Sequence, residues 1–279
     1  MKSSEQCINN FVKGYSFRLD IRTLNLYQKA VVNFLYYYGK EFKEVTVRDI
    51  RNWLVYLVNN EYKPSTINIK LSGLKLFYKY CVEEGFVTHN PVETISLLKL
   101  EETIPHYLQL DQLAQLREMV KGQIKERAII ELLYATGMRI SELASLKKEQ
   151  INWEERMILI QRGKRKKDRI VLFTNYCAQY LQAYLKDRKD DLPYVFINTY
   201  GKAPVCIRTI QLAFQEYAKQ IDIHFTPHTL RHTFAAHLAI KGMSLECIQI
   251  LLGHEKHEQT QLYARLYNHA RKLMYDEWM

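Results

Sequence analysis

Four short segments in the second half of this 279-residue sequence hold the side chains best suited to act on an anionic substrate. Residues 135–143, Ala-Thr-Gly-Met-Arg-Ile-Ser-Glu-Leu, place Arg139 in a turn. Gly137 ends one helix there and the neighbourhood of Ser141 starts the next, so a guanidinium can project away from the core. Residues 162–169 carry six basic side chains (Arg162, Lys164, Arg165, Lys166, Lys167 and Arg169) and one acid, Asp168. A turn so charged repels itself unless it meets a polyanion. Residues 226–238 open a helix at Pro227 and set His228 and Arg231 three apart, on one face. Phe234, Ala235 and Leu238 supply its buried side, and His232 and His237 read as packing or hydrogen-bonding histidines. Residues 251–263 break a helix at Gly253, put His254 at the break and bring Tyr263 nine residues later onto a further helix. Each segment alone has an ordinary structural reading: a surface arginine, a solvated turn, a helix cap. Together they supply Arg, Lys, His, Arg, His and Tyr in chain order.

The elements that must position these groups are mostly helical. Residues 22–38 repeat apolar side chains near a 3.6 period and stop at Gly39; Thr46 can cap a helix through Leu57; Ser65 and Thr66 open a third that ends near Gly85. Lys63, Lys70, Lys75 and Lys79 lie among the apolar positions of this region, where they form either a solvated face or a phosphate-tracking one. Residues 97–106 are charged, lack a sustained period and end in Pro105-His106, which suits a linker. Helical patterns resume at Leu110 and over 123–136, 175–188, 205–220, 228–241, 244–252 and 258–277. The apolar runs 157–161 and 169–173, joined by the basic turn, predict a β-hairpin.

Composition narrows the class. Apolar residues make up 47% and charged residues 25%, a globular balance, and no apolar run approaches the length of a membrane span. The start, Met-Lys-Ser-Ser-Glu-Gln-Cys, has no apolar stretch of a secretory signal. The net charge is +10. Residues 1–100 hold 14 basic and 9 acidic side chains, and the segment 162–169 alone accounts for the excess in the remainder. The five cysteines are widely spaced without C-x-x-C, as reduced thiols in a cytosol would be. His224, His228 and His232 are spaced by four, but Pro227 interrupts them and no H-E-x-x-H occurs, so no metal site is expected.

In order and spacing, the six residues resemble the catalytic set of the tyrosine recombinase (phage integrase) family of DNA strand-exchange enzymes. The resemblance is closest to Xer-like members and transposon-encoded resolvases, and covers nearly the whole chain. It implies a mainly α fold with a small antiparallel β-sheet. A helical, SAM-like core-binding domain would span residues 1–96, followed by the linker 97–106 and a catalytic domain at 107–279 ending in a protomer-exchange helix. The two domains would form a clamp around DNA.

The resemblance also implies roles. Tyr263 is the nucleophile that forms a 3′-phosphotyrosyl link; His228 is its general base. Arg139 and Arg231 bind the non-bridging phosphate oxygens, with His254 a further donor. Lys164 is the general acid for the leaving 5′-oxygen, and Glu142 supports the first arginine. The usual hairpin pattern G-K-G-x-K-x-R departs here, with Arg165 in place of a glycine, and leaves Lys166 and Lys167 as rivals to Lys164. Tyr267 and Tyr275 are rivals to Tyr263 by proximity only. Arg162, Arg165, Lys166, Lys167 and Arg169, with Lys70 and Lys75, are the expected DNA contacts. No metal or cofactor is implied. The implied partners are double-stranded DNA with an inverted-repeat core site, a homotetramer on two sites through cyclic exchange of the C-terminal helix, and accessory proteins, with no membrane. The implied setting is a prokaryotic or mobile-element protein, cytoplasmic and nucleoid-associated. Two other readings share the scaffold: a type IB-like topoisomerase that only relaxes supercoils, and a non-catalytic DNA-binding or architectural protein.

Overall fold

Capping residues and apolar spacing translate directly into the helices of the computed structural model, which describes residues 2–100, 104–161, 168–253 and 258–278. The chain divides into two compact units, Met1–Glu101 and Glu102–Met279.

The first unit holds α1 (Lys2–Tyr15), α2 (Ile21–Tyr38), α3 (Val47–Asn59) and α4 (Pro64–Glu83). Gly39 closes α2 in the left-handed region at φ 76°, and the Thr46 side chain caps α3 in a reciprocal box with Asp49. Pro64 stands in the first turn of α4, where its missing N–H costs nothing. The core is aromatic: Phe34 meets Trp53 edge-on at 5.2 Å between centroids, and Phe77 contacts both Phe11 and Phe42. Gly73 lets α4 approach α2, since a Cβ there would stand 3.0 Å from the Tyr27 Cα. The five cysteines are free thiols, with Cys7 and Cys81 facing each other at 3.9 Å between sulfurs.

The second unit begins with α5 (Leu110–Met119), α6 (Ile124–Thr136) and α7 (Ile140–Ala144). A three-stranded antiparallel sheet follows in the order β1 (Ile151–Asn152), β2 (Met157–Ile160), β3 (Arg169–Leu172). The hairpin read from the sequence is β2–β3, with Ile160 opposite Arg169. The two-residue β1 adds to it and is too short to show a period in the sequence. Then come α8 (Asn175–Asp187), α9 (Ile207–Gln220), α10 (Pro227–Ile240), α11 (Leu245–Leu252), α12 (Glu258–Gln261) and α13 (Ala264–Trp278). The α6 helix is central: Ala128, Ile130, Leu132 and Leu133 are fully buried. Its buried acid Glu131 is neutralised by Arg117 and Arg127 at 2.6 and 2.8 Å.

One helix of the sequence reading is corrected. Residues 258–277 form two helices, α12 and α13, broken at Leu262 and Tyr263. The Tyr263 N–H donates to the Thr260 carbonyl, a tight turn that rotates the tyrosine ring inward. There it joins a buried cluster with Phe234, Ile248 and Leu252. The last helix, α13, packs on α10 of its own unit, with Leu266 and Tyr267 against the cluster that holds Phe234.

Gly137 is required twice over. It ends α6 at φ 59°, and a Cβ there would lie 2.4 Å from the Phe234 ring and 3.0 Å from Leu252. Gly137→Ala should therefore destabilise the second unit by about 2–4 kcal/mol, from backbone strain and overpacking combined. A fall in melting temperature by calorimetry checks this, and an unchanged melt would contradict it.

Candidate active site

The α10 helix carries three of the candidate side chains. Thr226 caps it, accepting from the Thr229 N–H, and Pro227 fixes its first turn. His228, Arg231 and His232 then project from adjacent turns, and the His228 and His232 rings meet edge-to-face at 4.4 Å.

Arg231 is 3% exposed. One terminal nitrogen donates to the Gly137 carbonyl at the end of α6, the other to the Leu252 carbonyl at the end of α11, at 2.8 Å. Helix carbonyl ends carry partial negative charge, so they hold a cation well. Burial, with the charges of Arg139 and Arg169 nearby, still pushes the guanidinium down to about 9, which leaves it charged at neutral pH.

Arg139 stands at the N-cap of α7, its side chain 40% exposed. Its main-chain N–H donates to Glu142 at 2.7 Å and its Nη1 to the same carboxylate at 3.0 Å. Glu142 also accepts two bonds from Arg169, at 2.8 and 2.7 Å. Burial opposes its charge, but the bonds from Arg169 and Arg139 override that and hold the carboxyl at about 2. Arg139, Arg169 and Arg231 thus share the field of one carboxylate, a charge excess that an anionic phosphate would relieve.

Arg169 departs from its expected place among the DNA contacts. Its side chain is 6% exposed, paired with Glu142, and donates from Nε to the Leu251 carbonyl at 3.1 Å. Strand parity explains this: Arg169 shares a face with buried Val171 and Phe173, not with exposed Ile170 and Leu172. That alternation is present in the sequence and outweighs the pull of the basic turn beside it.

Tyr263 is 1% exposed, and its hydroxyl shares a 2.5 Å hydrogen bond with His232 Nδ1. Burial pushes the phenol well above its ordinary range, and the nearby Arg231 charge offsets only part of that. The nucleophile expected from the sequence is therefore neutral and tucked inward here. His232 is a functional candidate that the sequence reading misses. Its signal is its place four residues after His228, the spacing that puts both rings on one helix face.

Burial, then the charges of His228 and Arg231, hold the His232 imidazole down at about 4. An unfolded chain takes up a proton there near 6.5, the folded one only near 4. This contribution to stability is present above pH 6.5 and is lost as pH falls through about 4; it amounts to up to roughly 3 kcal/mol. Melting temperature should fall over that window, and His232→Asn should flatten the fall. An identical pH profile for the variant would contradict the assignment. His228 is exposed; partial desolvation and the charges of Arg231 and Arg139 lower it, which favours the neutral, proton-accepting form.

Arg162, Lys164, Arg165, Lys166, Lys167 and His254 lie outside the described residues. In the first unit, Lys70 rests over the rings of Tyr62 and Trp53 at 5.2 and 5.9 Å, and Lys75 reaches the Glu93 carbonyl at 3.4 Å.

A tyrosine, two histidines and clustered guanidiniums, held by helix ends around one turn, are an arrangement suited to phosphoryl transfer. Comparison with known proteins bears on which one. Residues 106–269 match the phage integrase family and residues 14–86 its N-terminal SAM-like domain. The chain is 35% identical to the tyrosine recombinase XerC of Chlamydia muridarum over 248 residues, 85% of this chain and 78% of that protein. It is 33% identical to XerC of Bacillus pumilus, covering 95% of this chain and 93% of that one. The Tn1549 transposon integrase, solved in complex with a circular intermediate DNA, shares the fold with a TM-score of 0.75 at 21% identity, over 92% of this chain and 94% of that one. The chain belongs to the phage integrase family, among its Xer-like tyrosine recombinases, enzymes of site-specific DNA recombination. Among the described residues, no helix is long and apolar enough to cross a membrane.

Proposed function

We propose that this enzyme contacts duplex DNA with both of its units, each protomer on one half-site of an inverted-repeat core. It cleaves by attack of the Tyr263 oxygen on a scissile phosphodiester. The phenol proton passes to His228, the P–O5′ bond breaks, and Lys164 protonates the leaving oxygen. Arg139, Arg231 and His254 hold the non-bridging oxygens as charge builds there. Arg suits this task because its planar fork meets two phosphoryl oxygens at once. The phosphotyrosyl link conserves the bond energy of the broken phosphodiester. Attack by a 5′-hydroxyl from the partner strand therefore reseals DNA without ATP and leads to a Holliday junction. Cations on the protein meet the phosphate charge, so no metal is required.

One observation carries this reading: α10 alone brings His228, Arg231 and the Tyr263-bound His232 together, with Arg231 tied to the turn that bears Arg139. A buried Tyr263 cannot reach a scissile phosphate. We therefore read this arrangement as a resting one, left when the Tyr263 turn is released. Cyclic exchange of α13 between four protomers on two sites would supply that release, replacing contacts on α10 of the same chain with those of a neighbour. The biological task is then resolution of dimers or transposon cointegrates, or integration of an element, with accessory proteins setting direction. Half of the net charge lies in residues 1–100 and as much in 162–169, which suits phosphate contacts from both units.

The experiment is covalent capture from fragmented genomic DNA in EDTA without ATP, followed by sequencing of the trapped ends. An inverted-repeat core is the expected result, and its surroundings would show the task. Joining of two such sites separates a recombinase from a topoisomerase, which would only relax them. No trapped DNA from a protein that binds it would overturn the reading.

A further inference from the structure

We propose that Arg169 is a positioning residue for the reaction: it holds Glu142, through Glu142 it orients the phosphate-binding Arg139, and it does not itself touch DNA. The inference rests on the recombinase reading above. Three observations carry it. First, the Arg169 side chain is 6% exposed, and Nε, Nη1 and Nη2 are all engaged within the protein. Second, the Glu142 carboxylate accepts four hydrogen bonds, two from Arg169 and two from Arg139. A carboxylate offers about four lone-pair sites, so the pair of arginines saturates it. Once Arg169 is lost, only the two bonds from Arg139 itself hold that carboxylate, and the bond that aims the Arg139 side chain loses its outside reference.

Third, Arg169 Nε binds the Leu251 carbonyl, while Arg231 binds the carbonyl of the next residue, Leu252. The two arginines therefore grip adjacent carbonyls at the end of α11. Arg169 ties that end to β3 and, through Glu142, to the start of α7. Arg231 ties it to α10 and, through Gly137, to the end of α6. Both phosphate-binding arginines are thus registered against the same helix terminus, and Arg169 supplies the half of that frame on which Arg139 depends.

The test measures single-turnover adduct formation on a nicked duplex carrying the captured core site. A second duplex carries a methylphosphonate at the scissile position, which replaces one charged oxygen by methyl and removes the charge that the arginines neutralise. With the phosphate, Arg169→Gln should slow cleavage by about 10–100-fold while core-site binding persists. The double variant R139A/R169Q should be no slower than R139A, because a residue acting through another adds nothing once that other is gone. With the methylphosphonate, the R169Q deficit should largely disappear, and so should that of R139A. A merely structural defect would multiply with R139A and would persist on the neutral substrate. Arg169→Lys keeps the charge but cannot engage both carboxylate oxygens and the Leu251 carbonyl; it should show a smaller deficit of the same pattern, and it carries the comparison if R169Q melts below the assay temperature. Multiplicative loss in the double variant, an undiminished deficit on methylphosphonate, or wild-type cleavage by both Arg169 variants would overturn the proposal. Failure of the recombinase reading would look different, since wild-type protein would then form no adduct on the phosphate.

Discussion

Tyr263→Phe should abolish covalent adduct formation, by at least about 10⁴-fold, while leaving site-specific DNA binding intact. The substitution removes one oxygen. That oxygen's only described partner is His232 Nδ1, and the ring remains as buried packing beside Phe234 and Leu252. Removing the hydroxyl leaves a half-buried imidazole short of one hydrogen bond, a cost of about 1–2 kcal/mol. The fold should tolerate that, so loss of adduct can be read as loss of chemistry. The control is His232→Ala. If the His232 bond restrains the nucleophile in its resting position, this variant should not abolish cleavage and should expose the phenol to solvent, visible as a lowered tyrosine titration midpoint in ultraviolet difference spectra. Abolished binding in Tyr263→Phe, or adducts at wild-type level, would contradict the assignment.

Arg231→Lys should have the second-largest effect, slowing cleavage by on the order of 10²–10³-fold. Conservation of charge does not conserve the role. Arg231 spans two carbonyls, those of Gly137 and Leu252, with its two terminal nitrogens. A lysine ammonium is a single point on a flexible stem and cannot bridge both while also facing a phosphate. One buried carbonyl at a helix end would then lose its donor, at about 1–3 kcal/mol. Two readouts should therefore move together: cleavage rate on a bound core site, and melting temperature of the second unit. A variant that cleaves like wild type would show that Arg231 is an architectural tie and no more. The contrast with Tyr263→Phe is informative, since there chemistry should vanish with little change in stability.

Much of this is legible in the sequence, because local rules act over a few residues. Gly39, Thr46 and Gly137 mark helix ends through backbone conformation and capping, and those ends are where the structure has them. The hairpin flanking the basic turn follows from two short β-branched runs. Other features depend on tertiary contacts. The break at Tyr263 has no glycine or proline to announce it; it forms because the ring is drawn into the cluster around α10 and α11, which overrides the helical period of 258–277. Arg169 groups with its basic neighbours in the sequence, although its parity with Val171 and Phe173 points it inward. A buried arginine needs a partner, and Glu142, 27 residues earlier, becomes one only through folding. His232 is hidden for a similar reason. A histidine on an apolar helix usually packs, and its meeting with Tyr263, 31 residues on, is a property of the folded unit.

The central claim is that Tyr263, presented from a turn beside α10, carries the bond to DNA. Its most direct test is peptide mapping by mass spectrometry of the wild-type protein trapped on a nicked core-site duplex and digested with protease and nuclease. The account predicts a single peptide bearing a nucleotide 3′-phosphate on Tyr263. A nucleotide on Tyr267, Tyr275 or any other side chain, or no modified peptide from a protein verified as bound to the site, would contradict it.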